Sequence, residues 1–493
     1  MRSPNPAYVR GYAPMLGCFL TAERRRWSVA RYNSNNAWLY NGNNGRLNNN
    51  NLYNTYSVRP LDYVTDERSL YDFHILLVEM IGAYKIARKS KRGKTSQMEF
   101  EVNQTVYLIA ITVAVWNKEY IPSTSICFML ILPRLREVLA AWFGDRVVQT
   151  WFCIKLDPYL ENEWFDPQSY ACRKEKGGLR AVLDFQEMLR QATRGWLYYD
   201  VWVVIRDIQA CFPNVDTELL ENRMCDFIWS VVCEDEWLRD TLCWLARILY
   251  RSLPQEHCQI KTHPLAWLDF PKEKSSFGRT KGLAIGNCSN QKAVLFLTTF
   301  LLIMLRETGY DLFALYTDDC PIIIFDKRQW QYDSKIIERR IEQEFHWKWH
   351  PGKIYYQQWS RGIPFLGYKI KGERILPSDR VAHNWLWKIE CNVRKAREKR
   401  WYVFEHRDSL MQTVNSYLGF LKWCDADKLR DKGMGMLMDS PFAEVYDFHE
   451  GRKVTIKKQW TQRAYIKRVL RRRKRELRVM RDNILQTEKS KTI

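Results

Sequence analysis

Residues 312–325 read LFALYTDDCPIIIF, and they decide the fold. Two short apolar runs, Leu312–Tyr316 and Pro321–Phe325, flank a polar turn. That pattern predicts an antiparallel hairpin with Asp318 and Asp319 at its tip. Adjacent carboxylates repel each other, so such a pair favours a cation. Taken alone, an Asp-Asp turn is ordinary solvated surface, and a second acidic group is needed to give it chemistry.

That group stands upstream. Val201–Ile205 (VWVVI) is a short, β-branched and aromatic run, and Asp207 follows it after Arg206. If the two strands are neighbours, Asp207 and Asp318 can share a pair of metal ions about 3.5–4 Å apart, the arrangement for in-line phosphoryl transfer. Hard oxygen ligands select Mg²⁺, or Mn²⁺, over zinc. Helical stretches at Phe227–Ser252 and Asn290–Leu305 lie among these strands, which predicts an α+β fold with an antiparallel hairpin at its functional centre.

With these residues in view, the chain resembles the reverse transcriptases. YTDD (316–319) is similar to the family's Tyr-x-Asp-Asp box, and DIQACF (207–212) to its first catalytic box. GLAIGNCSNQ (282–291), PFLGY (364–368) and SYACRKEKG (169–177) are similar to the intermediate, primer-grip and fingers motifs. The motifs fall in the family's order over about 123–430. The resemblance implies a right-hand polymerase: an Asn-rich N-terminal extension (1–62), fingers and a palm with an antiparallel sheet (63–375), and a helical thumb with a basic tail (376–493).

It also implies roles. Asp207, Asp318 and Asp319 become the ligands of two Mg²⁺ ions, and Lys353 the donor that protonates pyrophosphate, with Lys348 close by. Arg173, Ile208, Phe212, Ile285 and Gln291 surround the nucleotide. Arg173 contacts the triphosphate, Phe212 blocks a ribose 2′-hydroxyl, and Gln291 lies beside the templating base. Phe365, Leu366 and Gly367 support the primer terminus. The implied partners are a cognate RNA template, a DNA or RNA primer, dNTPs and a small accessory protein, in the cytoplasm of a prokaryote or encoded by a phage.

Within the family, Ile285 stands where many members have Gln. An aliphatic residue there is similar to the diversity-generating retroelement branch, as are residues 122–151 and NSYLGFLKWC (415–424). Ala284 and Asn290 depart from the usual Pro and Ser. The branch implies error-prone copying of a template repeat. An antiphage-defence reverse transcriptase shares the fold and boxes, and a catalytically silent RNA-binding scaffold is the reading from another class; the complete acidic triad disfavours the scaffold. Residues 33–54 hold eleven Asn in twenty-two positions. They read either as an Asn-rich linker or as a translated template repeat.

The rest of the sequence agrees with a nucleic-acid enzyme. Its 493 residues carry 77 Lys+Arg against 56 Asp+Glu, a net charge of +21, which on a globular composition points to a polyanionic partner. The longest apolar runs, Tyr107–Trp116 and Ala293–Leu305, fall short of the ~20 residues a membrane span needs. Residues 1–26 have no uninterrupted apolar stretch of a secretory leader. Thirteen cysteines without a CxxC pair signal neither a disulfide framework nor a zinc ribbon. His257, Cys258 and His263 lack zinc-ligand spacing. From Arg68, apolar residues recur at helical spacing, and the basic run Lys85–Lys94 that follows is either solvated surface or a phosphate contact. Gln462–Arg481, with ten Lys/Arg, is either a solvated tail or a nucleic-acid-binding helix.

Overall fold

The computed structural model describes residues 67–89, 93–131, 135–268, 270–271, 275–450 and 452–461. The Asn-rich segment, the basic stretch 462–481, and Lys91 and Arg92 lie outside them.

The chain opens with helices α1 (Glu67–Arg88), α2 (Thr95–Val102) and α3 (Gln104–Trp116). Strands β1 (Ser125–Leu130) and β2 (Arg136–Ala140) form an antiparallel pair, and α4 (Phe143–Tyr159) follows. Glu79 fastens α1 to α4, accepting hydrogen bonds from the Trp151 indole (2.9 Å) and the Lys155 ammonium (2.5 Å). In the first turn of α4, the buried Asp145 accepts from the Tyr120 hydroxyl (2.8 Å) and the Ser123 amide (3.0 Å). These bonds fix the entry to β1.

Helix α5 (Gly178–Ala192) precedes the central strand β3 (Trp202–Ile208). Next come α6 (Thr217–Val231), α7 (Glu236–Arg251), β4 (Cys258–Ile260) and α8 (Cys288–Glu307). The apolar run expected to form one helix over Phe227–Ser252 is broken at 232–235. There Asp235 caps α7 by accepting from the Leu238 amide (2.8 Å), the role for which Asp is favoured at N-caps. Helix α8 is long and apolar enough to cross a membrane by composition, yet 78% of its apolar window is buried inside the protein. Its Phe296 and Phe300 pack with Phe227 of α6 around the Trp164 indole, with ring centroids 4.7–5.5 Å from Trp164. Core burial explains its apolarity.

The central sheet is completed by β5 (Cys320–Ile324) and, after α9 (Lys327–Phe345), by β6 (Trp349–Gln358). Its order is β5-β3-β6, antiparallel throughout. Val203 and Ile323 pack on α5 through Ala181, Val182, Phe185 and Leu189. On the opposite face Val204 and Ile322 are fully buried. Both faces are covered, which is why β3 and β5 read as unbroken apolar runs rather than as alternating ones. The expected strand Leu312–Tyr316 faces 319–323 through isolated bridges, Phe313 to Ile322 and Tyr316 to Asp319, and its Leu315 bridges Ser169 instead. Leu312 and Ala314 bond Ile323 (2.8 Å) and Pro321 (3.1 Å), while Leu315 donates to the Gln168 carbonyl (2.8 Å) and accepts from the Tyr170 amide (2.9 Å).

Strands β7 (Ile363–Phe365), β8 (Tyr368–Lys371) and β9 (Arg374–Pro377) lead into α10 (Asp379–Glu398), α11 (Trp401–Leu421) and α12 (Asp427–Met438). A hairpin of β10 (Tyr446–His449) and β11 (Lys453–Ile456) closes the described region. The C-terminal part is therefore not purely helical, as its sequence suggested. Asn415 of α11 docks the hairpin by bonding the Val454 carbonyl (2.7 Å) and amide (2.8 Å). Phe420 of α11 stacks on Tyr368 of β8 at 4.1 Å, joining the helical core to the β7-β8-β9 sheet.

Candidate active site

The register of the central sheet builds the site. Arg206 of β3 pairs with Cys320 of β5, so Asp207 and the turn before β5 end at the same edge. On the other side the β3–β6 register shifts between Arg206 and Ile208, a bulge that redirects the strand at Asp207. The hairpin tip is tight. Tyr316 and Asp319 exchange backbone hydrogen bonds (2.9 and 3.1 Å), leaving Thr317 and Asp318 as the turn. Thr317 sits at φ +61°, a left-handed conformation that β-branched residues avoid; local strain of this kind clusters at functional sites.

Asp207, Asp318 and Asp319 each bring a carboxylate oxygen within 4.8 Å of the others. Asp207 is buried and the other two are partly exposed. Burial and then the neighbouring Asp207 raise the Asp318 carboxyl above its usual range, with Lys353 and Arg136 acting in the opposite sense. Burial, Asp318 and Asp207 likewise push the Cys211 thiol well up. Three hard oxygen donors so close together suit a divalent cation such as Mg²⁺ or Mn²⁺. Among the described residues this is the one His/Cys/Asp/Glu group with metal-holding geometry.

Lys353 reaches into the same cluster, its ammonium 2.5 Å from Asp207 Oδ2. Lys348 points elsewhere and pairs with Glu342 at 2.7 Å. Phe212 is half-buried on the turn after β3. Its carbonyl accepts from the Leu283 amide (2.9 Å). Gly282 beside it has φ +102°, and a Cβ there would lie 2.5 Å from the Pro213 oxygen, so only glycine fits this approach. Ile285 is half-buried in the following loop, and Gln291 is exposed on the first turn of α8, 3.4 Å from the Cys172 thiol.

Phe365, Leu366 and Gly367 form the β7–β8 hairpin, with Leu366 (φ +50°) and Gly367 (φ +87°) as a two-residue left-handed tip. Phe365 is buried beneath it. A Cβ built on Gly178 would meet Leu366 Cδ1 at 3.5 Å and Tyr316 Cε2 at 3.8 Å, so this tip adjoins the acidic hairpin. Two expected site residues are placed differently from the rest. Ile208 is 2% exposed and faces the core, leaving only its backbone for a ligand. Arg173 has a 7% exposed side chain paired with Glu161 (2.7 Å), and it donates to the Asp166 (2.6 Å) and Ser169 (2.9 Å) carbonyls.

Two residues at the site escaped the sequence. Arg136 of β2 acts electrostatically on Asp318, and Glu137 beside it bonds the loop leading to Gly282. The run REVLA gives no signal of this, because charged residues are ordinary on an exposed strand.

No protein-family model and no curated protein matches the chain. Among solved structures, it is similar to apo telomerase from Candida tropicalis truncated from its C-terminal domain, at 11% identity and TM-score 0.37, covering 52% of this chain and 55% of that one. Telomerase from Candida albicans in complex with the TWJ fragment of telomeric RNA gives 9% identity and TM-score 0.37 over 66% of this chain and 61% of that chain. Apo telomerase from Candida tropicalis gives 12% and 0.38 over 77% and 76%. The chain thus spans well under two thirds of the first of these neighbours. Likeness this distant carries no function.

The raised Asp318 carboxyl has a stability consequence. The folded chain holds this proton more tightly than the unfolded chain does, so stability falls as pH rises from about 3.8 through the raised value. Asp318→Asn removes the charge. In metal-free buffer it is expected to raise the melting temperature at pH 7, with the gain shrinking as pH approaches 4; thermal scans across pH 4–8 in EDTA check this.

Proposed function

We propose that the chain is a reverse transcriptase, a right-hand polymerase that copies RNA into DNA by two-metal-ion nucleotidyl transfer. One observation carries this: Asp207, Asp318 and Asp319 converge at the end of an antiparallel sheet. The order of the sequence motifs supports RNA as the template. Magnesium, when bound, activates the primer 3′-hydroxyl and stabilises the triphosphate and its leaving group.

The chain's own residues supply the rest. Asp207 from β3 and Asp318 and Asp319 from the hairpin would hold the metals. Lys353, already at Asp207, is the proton donor on the leaving-group side. Arg136 is better placed than Arg173 for the triphosphate, because the Arg173 donors are engaged by Glu161 and carbonyls. The Phe212 ring walls off the 2′ position, Gln291 flanks the templating base, and the Leu366-Gly367 tip supports the primer end.

Ile285 supports the finer reading, an error-prone enzyme of a diversity-generating retroelement working on a cognate RNA. An amide at this position can donate and accept hydrogen bonds; an aliphatic side chain can do neither. The adenine bias comes from the resemblance, not from this side chain.

Primer extension on an RNA template tests the activity. Asp207→Asn and Asp318→Asn are each expected to abolish divalent-dependent dNTP incorporation and to leave RNA affinity intact, since the +21 surface supplies most of it. Extension at wild-type rate by both variants contradicts the assignment. Deep sequencing of the cDNA tests the branch. The wild type is expected to misincorporate, mainly opposite adenines, and Ile285→Gln to reduce the error by roughly 2- to 13-fold. Low, base-independent wild-type error leaves a faithful enzyme, as an antiphage role allows.

A further inference from the structure

Glu137 is 5% exposed on β2, and both of its carboxylate oxygens are engaged by one loop. Oε2 accepts from the Ser275 hydroxyl and Oε1 from the Ser276 amide, each at 2.9 Å. Burying a carboxylate is costly unless strong hydrogen bonds compensate it, so two charge-assisted bonds at one position fix the loop firmly.

The far end of that loop is fastened to the Phe212 turn. Arg279 Nη1 donates to the Pro213 carbonyl (3.1 Å) and to Asn214 Oδ1 (3.0 Å). The Gly282 amide donates to Val215 (3.0 Å) and the Leu283 amide to Phe212 (2.9 Å). Beyond this, Ala284 packs on Cys127 and Leu139, and a Cβ on Gly286 would sit 3.2 Å from Val138 Cγ1. Residues 275–286 are therefore a strap between β2 and the turn that carries Phe212. Arg136, whose charge acts on Asp318, immediately precedes Glu137 on β2.

We propose that Glu137 is a positioning residue for sugar selection: its carboxylate tethers the strap to β2 and so holds the Phe212 ring at a fixed offset from the acidic cluster. The proposal rests on the polymerase reading. Releasing the strap lets Phe212 recede, which weakens the fit of a deoxynucleotide and admits a ribonucleotide. The acidic cluster is held by β3 and the hairpin, not by the strap, so the chemical step is spared.

The test compares Glu137→Ala, Glu137→Gln and Ser275→Ala, with Phe212→Ala as the reference for a lost gate. Single-nucleotide extension measures kcat, KM and the ratio of ribo- to deoxynucleotide incorporation. Glu137→Ala loses two bonds to a charged group, so its dNTP KM and its ribonucleotide ratio should each rise about tenfold or more, with kcat within about twofold. Glu137→Gln keeps an acceptor for Ser276 and a donor for the Ser275 oxygen, and should recover most of the loss. Ser275→Ala removes one bond and should shift the ratio in the same direction by a few-fold, which keeps the test decisive if Glu137→Ala does not fold. A wild-type KM and ratio in Glu137→Ala, or no shift in Ser275→Ala, overturns the proposal, as does a Gln variant no better than Ala.

Hydrogen exchange separates the two readings. Amides 275–283 should exchange faster in Glu137→Ala than in the wild type, and unchanged protection overturns the tether. If the wild-type protein incorporates no nucleotide, the polymerase reading falls, and exchange still decides whether Glu137 holds the strap.

Discussion

Three carboxylates within 4.8 Å of one another are the constraint around which this structure is organised. At an effective dielectric of ~20, a pair of like charges 4 Å apart costs about 4 kcal/mol, a large part of a domain's net stability. Backbone geometry holds them there. The Arg206–Cys320 pairing, the β3 bulge at Asp207 and the left-handed Thr317 all act on the same few ångströms. Cations offset part of the repulsion: Lys353 pairs with Asp207, and Arg136 acts on Asp318 from β2. Burial, and after it the neighbouring Asp207, still raises the Asp318 carboxyl, and a divalent cation would favour its charged form.

The surroundings extend that logic outward. The Phe212 turn, the 275–286 strap and the Leu366-Gly367 tip each approach the acidic edge from a different element. Each depends on a backbone conformation or approach that few residues tolerate, seen at Gly282, Leu366 and Gly367. The Tyr368–Phe420 stack then joins the strand beside the tip to the C-terminal helices.

Much of the centre was legible from residues alone. Val201–Ile205 and Pro321–Phe325 are apolar because both faces of their sheet are covered, and YTDD between apolar runs reads as a turn. Helix α8 announced itself by length and apolarity. Other parts were not legible, for physical reasons. Leu315, inside the expected strand Leu312–Tyr316, bonds Gln168 and Tyr170 rather than the hairpin partner, a tertiary choice no local pattern records. The break between α6 and α7 hangs on one Asp cap inside a helical-looking run. Glu137 and Arg136 draw their importance from a loop about 140 residues away and from Asp318, contacts that strand periodicity does not encode. The Arg173 motif was visible, but the competition of Glu161 for its guanidinium was not.

Polymerase chemistry here requires the three carboxylates to act as one divalent-metal site. Mn²⁺ titration followed by electron paramagnetic resonance, on protein bound to a primed RNA template and a non-reactive dNTP analogue, measures this without turnover. The account predicts about two ions per chain in the wild type, with at least one lost in Asp207→Asn and in Asp318→Asn while the RNA stays bound. Wild-type Mn²⁺ stoichiometry and affinity in both variants would contradict it.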